Sequence, residues 1–134
     1  LVERVEHGEI LQEMIPGSRF VAGDESVEGR AEAIELFKNS EENEVIIATK
    51  IFATGVNVRE ITALIIARCL KGEIPTLQAL GRALRVTDTK TTAQIFDFVD
   101  YGVKYLSAHS KNRKEHYENQ GHNVIKWEEQ TYEI

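Results

Sequence analysis

The stretch "TLQALGRALRV", residues 76–86, carries the side chains with the clearest chemical potential in this sequence. Its leucines recur at helical spacing and predict a helix with one stripe facing a core: Leu77, Leu80 and Leu84. A second stripe with the same spacing carries hydrogen-bond donors: Gln78, Arg82 and Arg85. Gly81 lies on the donor side, where the missing side chain permits close approach of a ligand. Two guanidiniums one turn apart suit a phosphate chain, although surface arginines paired with acids have the same spacing.

A second candidate is "TKIFATGVN", residues 49–57, which follows an apolar run of strand length. Thr49 offers a hydroxyl, Asn57 a side-chain amide, and the loop around Gly55 offers free backbone amides. Groups of this kind hold phosphates and sugars. The alternative interpretation is a helix-capping turn in which Gly55 supplies a left-handed residue.

The elements that must position these residues alternate between strand and helix. We expect a strand end at 1–4, a helix at about 6–14, a strand at 19–23, a helix capped by Ser26, strands at 44–49 and 61–67, a helix at 76–86, a strand at 92–99, a helix at about 104–119 and a strand at 123–129. The pattern predicts an α/β domain with a mostly parallel central sheet flanked by helices. The apolar runs at 44–49 and 61–67 predict strands covered on both faces, and ligands of such sheets lie beyond the carboxyl ends of the strands.

Length and composition predict one folded domain over residues 1–134, of which 42% are hydrophobic. No apolar run is long enough to span a membrane and no leader is visible, so we expect a cytoplasmic protein. The chain begins with Leu1 instead of methionine, which suggests a piece of a longer protein. The formal charge of −6 argues against a nucleic-acid partner, but residues 103–114 hold four cations and no acid.

Four segments resemble motifs of the second RecA-like domain of superfamily 2 helicases and translocases. "ATKIFATGVNVREI" is similar to motif V, and "QALGRALR" meets the motif VI spacing of Gln, Gly, Arg and Arg in full. Upstream, "LVERVEHGEIL" is similar to motif IV, and "VAGDESVEGR" resembles a segment in which glycine precedes arginine by seven residues. The four segments occur in family order, and they imply a three-layer RecA-like fold of the P-loop NTPase type.

The resemblance implies a role at ATP for the motif V and VI residues. Arg82 and Arg85 would act as arginine fingers on the γ-phosphate, and Gln78 would orient the phosphate or the attacking water. Gly55 and Gly81 would let the backbone approach the nucleotide. Asn57 would hydrogen-bond the ribose, although many relatives have aspartate at that position.

The resemblance also implies a nucleic-acid track. Thr49 would bind a backbone phosphate, and the same track would include Lys50, Arg30, Gly23 and Arg4. Motif VI begins with Gln78 and not with the histidine common in the RNA-remodelling branch, which favours DNA as the partner and leaves RNA open.

The sequence contains no G-x-x-x-x-G-K-[ST] phosphate loop and no Asp-Glu box for magnesium. By the resemblance, ATP and Mg²⁺ would be held mainly by a preceding RecA-like domain of the same protein. We therefore expect the isolated chain to be inactive as an ATPase, and the full-length protein to be an ATP-dependent DNA helicase.

Two other functions fit the same motifs. One is the motor of a restriction- or remodelling-type translocase that pulls duplex DNA without separating it, which a strand-displacement assay would distinguish. The other is a non-catalytic domain that binds a nucleotide or a protein, which an upstream sequence without a phosphate loop would favour.

Several polar residues receive structural interpretations. The three histidines His109, His116 and His122 read as surface residues and not as metal ligands. His7 falls on the apolar side of its helix and is expected in the core. Asp97 and Asp100 read as hydrogen-bond acceptors at a strand end, and "AHSKNRK" as an exposed basic helix face that could touch DNA.

Overall fold

The structure, a computed structural model, describes residues 1–40, 44–49, 61–68 and 92–126. The chain forms two compact units, Leu1–Phe98 (the first unit) and Val99–Ile134 (the second unit). The first unit contains α1 (Val5–Met14), β1 (Arg19–Val21), α2 (Val27–Asn39), β2 (Ile46–Ala48), β3 (Ala63–Ile66) and β4 (Gln94–Asp97), and the second contains α3 (Lys104–Asn119). Among the helices of these ranges, none is long and apolar enough to cross a membrane.

The strands form two parallel pairs. β1 pairs with β2, so that Phe20 lies opposite Ile47, and β3 pairs with β4, so that Ile65 lies opposite Phe96. Parallel neighbouring strands need a crossover connection, and α2 supplies it between β1 and β2. These three elements therefore form a βαβ unit. Parallel strands with a helical crossover confirm the predicted α/β class.

Leu1 and Val2 join the two strand pairs into one layer. The Leu1 amino group donates to the Ile65 carbonyl oxygen at 2.6 Å, and the Ala67 N–H donates to the Leu1 carbonyl oxygen at 2.8 Å. On the other side, the Val2 N–H donates to the Ala48 carbonyl oxygen at 2.8 Å. Bonds to the two residues that flank Ile66 are the pattern of a parallel ladder. The layer order is therefore β1, β2, residues 1–2, β3, β4, and the predicted strand end at 1–4 is confirmed at its first two residues.

The predicted cap of α2 is present. The Ser26 hydroxyl accepts a hydrogen bond from the Gly29 N–H at 3.0 Å, which satisfies one of the amides that the first turn leaves without a partner. The helix buries Ala33 against Val21 and Ala48, and this cluster is the core under β1 and β2.

Helical periodicity predicts that Ile10, Leu11 and Met14 share the apolar side of α1, and that Val27, Ala31, Ile34 and Phe37 share that of α2. The structure leaves Leu11, Ile34 and Phe37 half-buried and the other four exposed. On α2, Val27 is 68% exposed, and the buried position is Ala33. On α1, Ile10 and Met14 are exposed, as is His7, so the expectation of a core histidine is wrong. Helical periodicity gives the relative positions of side chains, but the packing partner decides which side is buried.

Gly8 is the buried residue of α1, because the helix crosses β1 at that point. A methyl group at Gly8 would overlap the Phe20 ring, with Cδ2 and Cζ at 2.7 Å. The absence of a side chain therefore sets how closely α1 approaches the sheet.

Coverage of the sheet differs between strands. In β2, Ile47 and Ala48 point to opposite faces and are both buried, as expected for a strand covered on both faces. In β3, Leu64 and Ile66 are buried whereas Ala63 and Ile65 are exposed, so the expectation of two covered faces is wrong there. The described part of the last predicted strand, residues 123–126, is not a strand.

In the second unit, α3 has the predicted bounds, and a polar network holds the preceding loop to it. The Ser107 hydroxyl donates to the Asp100 carbonyl oxygen at 2.7 Å, and the Ser110 hydroxyl donates to Asp100 Oδ2 at 3.1 Å. Arg113 Nη2 lies 3.7 Å from the same Oδ2 and donates to Ser110 Oγ at 3.3 Å. The interpretation of Asp100 as a structural acceptor is confirmed.

This network replaces an apolar core in the second unit. Ser110 and Arg113 are its buried residues within 99–126, and no apolar side chain of that range is buried. Arg113 is 3% exposed, so the expectation that "AHSKNRK" is a wholly exposed basic face is wrong at this position. A guanidinium can be buried here because Asp100 supplies the opposite charge.

We predict that Gly8→Ala destabilises the chain by about 1–3 kcal/mol, since the added methyl group forces the Phe20 ring or α1 to move. Urea unfolding of the 134-residue chain measures the change. The matched control is Gly29→Ala, the same substitution in α2, where the closest atom is the terminal Oε1 of Glu25 at 2.6 Å. That flexible carboxylate can move away, and alanine favours the helix, so stability should be unchanged or higher. Equal losses in the two variants would contradict the close approach of α1.

We predict that Arg113→Ala speeds amide hydrogen exchange in α3 by about 100-fold, because removing one partner of a buried ion pair costs about 3 kcal/mol. Lys114→Ala is the control at the adjacent residue. Lys114 pairs with Glu118 at 3.7 Å on the surface, where such pairs contribute about 0.5 kcal/mol. Exchange rates that rise equally in both variants would show that the network does not hold the unit together.

Candidate functional site

The carboxyl edge of the sheet collects the polar residues that follow each strand. Because every strand of the layer is parallel to its neighbour, the segments after the strands meet at one edge. Along the layer order, this edge carries Gly23 after β1, Thr49 after β2, Glu3 and Arg4 after residues 1–2, and Arg68 after β3. Three of the predicted nucleic-acid residues, Gly23, Thr49 and Arg4, are therefore brought to the same edge.

Thr49 is the most enclosed of these residues, with 5% of its surface exposed. It follows β2 directly, between the ends of β1 and of residues 1–2. Within the described residues no hydrogen bond engages its hydroxyl.

Arg4 and Arg30 present basic groups from two different helices. Arg4 is exposed and is the N-cap residue of α1, with an extended backbone at φ −109° and ψ 145°. Its carbonyl oxygen accepts from the Gly8 N–H at 3.2 Å, so the start of the helix fixes its backbone. Arg30 is half-buried near the N-terminal end of α2, which is the end of this helix closer to the carboxyl edge.

Arg68 is a residue that sequence reasoning missed. Its side chain is 9% exposed, and Nη2 lies 4.0 Å from the Glu3 carboxylate. Arg68 therefore brings an enclosed cation, paired with Glu3, to this edge of the sheet. The available signal was an arginine that directly follows the run "ITALIIA".

The nucleotide residues predicted from motifs V and VI lie outside the described residues, as does one nucleic-acid residue. They are Gly55, Asn57, Gln78, Gly81, Arg82, Arg85 and Lys50. Their roles stay predictions from the sequence.

A pocket of about 440 Å³ lies at the opposite edge of the sheet. Its lining includes Arg19 and Ile46, the first residues of β1 and β2, and Asn39 and Ser40 at the end of α2. A ligand of a parallel sheet is expected beyond the carboxyl ends, so we do not assign the function to this pocket.

One histidine of the second unit contacts an aromatic ring. The His109 ring contacts the Tyr105 ring edge to face, with centroids 5.9 Å apart. Throughout the part of the chain that the structure describes, no three His, Cys, Asp or Glu side chains come together as metal ligands could.

Comparisons with known proteins agree with this arrangement. The model of the helicase conserved C-terminal domain family matches residues 2–87, a range that includes Thr49 and the segment "QALGRALR". The ATP-dependent DNA helicase uvsW of Enterobacteria phage T4 is 29% identical over 121 residues, which are 87% of this chain and 24% of that protein. The crystal structure of T4 UvsW matches with a TM-score of 0.69 at 23% identity, over 92% of this chain and 29% of that one.

The family model covers more than half of the chain, and the structural match confirms the predicted RecA-like α/β fold. The chain spans only 24% of the length of its curated relative, so it corresponds to a part of such a protein. It belongs to the helicase conserved C-terminal domain family.

Proposed function

We propose that residues 1–134 are the second motor domain of an ATP-dependent DNA helicase. The observation that carries the proposal is the complete motif VI spacing, from Gln78 through Gly81 and Arg82 to Arg85, inside the range that the family model matches. A relative named as an ATP-dependent DNA helicase supports both ATP and DNA as its ligands. The predicted cytoplasmic location stays a prediction.

The proposed ATP site is shared between two domains. ATP supplies its γ-phosphoryl group, and a preceding RecA-like domain with a phosphate loop holds most of the nucleotide and Mg²⁺. Arg82 and Arg85 neutralise the negative charge that develops at that group, and Gln78 orients the phosphate or the attacking water. Gly55 and Gly81 permit close backbone approach, and Asn57 hydrogen-bonds the ribose.

The proposed nucleic-acid track is the carboxyl edge of the sheet. Thr49 donates its hydroxyl to a backbone phosphate, and Arg4 and Arg30 supply positive charge from the starts of α1 and α2. Gly23 lies just after β1 and, without a side chain, lets the backbone there approach the nucleic acid. Lys50 extends the track beyond Thr49. Contacts of this kind predict little sequence preference, because every nucleotide carries the same phosphate.

ATP binding and hydrolysis would move this edge relative to the preceding domain. The two domains close on ATP and open after hydrolysis, so the track releases one phosphate and takes another. A domain that supplies only arginine fingers and a nucleic-acid track has no ATPase activity alone. ATP turnover by the isolated chain would contradict the proposal that the preceding domain holds the nucleotide and Mg²⁺.

We predict that Arg82→Ala and Arg85→Ala in the full-length protein each lower kcat for ATP by about 10³-fold or more, because an arginine finger stabilises charge that appears only in the transition state. Arg85→Lys should restore little, since an ammonium cannot form the bidentate contact of a guanidinium. A steady-state ATPase assay with DNA measures the rates.

The control for this prediction is Lys111→Ala. Lys111 is a 77% exposed cation that pairs with Glu115 at 3.8 Å, so its loss should leave kcat within about twofold. DNA binding of the arginine variants should also stay close to that of the unmodified protein. Wild-type turnover in both Arg82→Ala and Arg85→Ala would overturn the proposed function.

We predict that Thr49→Val weakens DNA binding by about 10-fold, since the substitution keeps the shape and removes a hydrogen bond to a charged phosphate worth about 1.5 kcal/mol. Thr49→Ser keeps the hydroxyl and should keep most of the affinity. Fluorescence anisotropy with a labelled DNA measures both. Equal affinity of the valine and serine variants would remove Thr49 from the track.

A further inference from the structure

The start of α3 and the loop before it expose aromatic rings. Tyr101 is 78% exposed and Tyr105 is 63% exposed, within five residues of each other. The Tyr105 ring is held in place by its edge contact with His109. Exposed aromatic side chains grouped in this way mark a binding surface more often than scattered apolar residues do.

The same segment of the chain carries a positive charge and no acidic residue. Lys104 is exposed at the first position of α3, and its side chain forms no ion pair with any residue that the structure describes. No acid occurs anywhere from Tyr101 to Lys114. The closest acid before this range is Asp100, and its charge is balanced by Arg113.

The cations farther along α3 are in a different state. Lys111 and Lys114 each have a glutamate one turn later, at 3.8 and 3.7 Å. Arg113 is buried in the network with Asp100 and Ser110. Lys104 is therefore the cation of α3 that a ligand can use without displacing a partner that the structure describes.

The loop that carries Tyr101 is fixed in position. The Asp100 N–H donates to Ser110 Oγ at 3.1 Å, while the Asp100 carbonyl oxygen and carboxylate accept from Ser107 and Ser110. These bonds tie the residue before Tyr101 to the first two turns of α3. A ring next to such an anchor loses less conformational entropy when it binds a ligand.

We propose that Tyr101, Lys104, Tyr105 and His109, called here the Tyr101–His109 surface, bind single-stranded nucleic acid. Bases stack on the tyrosine rings, and Lys104 contacts a backbone phosphate. Aromatic faces combined with a cation and free of acids are what sequence-independent single-strand recognition requires. The choice of partner rests on the proposed function, in which DNA is the ligand of the motor.

The test uses the full-length protein and a fluorescein-labelled oligodeoxythymidine, with binding measured by fluorescence anisotropy. Tyr101→Leu and Tyr105→Leu keep apolar area and remove the aromatic face, and each should weaken binding by about fivefold or more. Tyr101→Phe and Tyr105→Phe keep the face and should bind within about twofold of the unmodified protein.

The lysine is tested by the salt dependence of binding. Lys104→Gln should lower the slope of log Kd against log salt concentration by about 0.7, the contribution of one phosphate contact on a single strand. Lys111→Gln is the matched control on the same helix and should leave the slope unchanged, because that charge already has a partner.

Four outcomes would contradict the inference or the proposed function. If the leucine variants bind the oligonucleotide as the unmodified protein does, the inference is overturned and the proposed function stands. If the leucine and phenylalanine variants lose equal affinity, base stacking on the tyrosine rings is excluded and the inference is overturned. If the leucine variants lose ATP turnover in the absence of DNA but keep oligonucleotide affinity, the surface docks protein, which overturns the inference. Failure of the unmodified protein to bind any oligonucleotide would instead remove the proposed function itself.

Discussion

The backbone hydrogen bonds of Leu1 and Val2 decide whether the first unit has one sheet or two. On one side they bind Ile65 and Ala67, and on the other they bind Ala48. Without them, β1–β2 and β3–β4 would be separate pairs, and an isolated two-stranded pair is marginally stable. The site depends on the same bonds, because they align the ends of the strands and so bring the residues of the carboxyl edge together. The arrangement of the residues at this edge therefore depends on residues 1–2, in the middle of the layer.

The two units are held by different forces. The first unit has a small apolar core, in which Ala33 of α2 packs on Val21 and Ala48. In the second unit, the residues described between 99 and 126 are organised by charge and hydrogen bonds around Arg113. An apolar core tolerates the exchange of one aliphatic side chain for another of similar volume, but a buried guanidinium does not tolerate loss of its carboxylate. The described part of the second unit therefore depends on the identity of two particular residues, Asp100 and Arg113.

Much of the fold could be predicted from local patterns. The Ser26 cap, the bounds of α3 and the parallel strands follow from capping chemistry and hydrophobic periodicity, which act over a few residues. The side of each helix that is buried could not be predicted as well. The exposed Met14 and the buried Arg113 both depend on partners from other elements, and a periodic pattern does not identify those partners. Asp100 lies thirteen residues before Arg113, so no helical spacing connects them. In the site, the family resemblance assigned Thr49 and Arg4 to one track and did not include Arg68, whose side chain is 9% exposed.

The position of residues 1–2 also determines how the domain responds to mechanical load. A pull on Leu1 along its own strand direction loads the bonds to Ile65, Ala67 and Ala48 at the same time, in shear. Bonds loaded together in shear resist more force than bonds that open one after another at an edge strand. Residues 1–2 are therefore harder to pull out of the layer than a strand that is bonded on one side only.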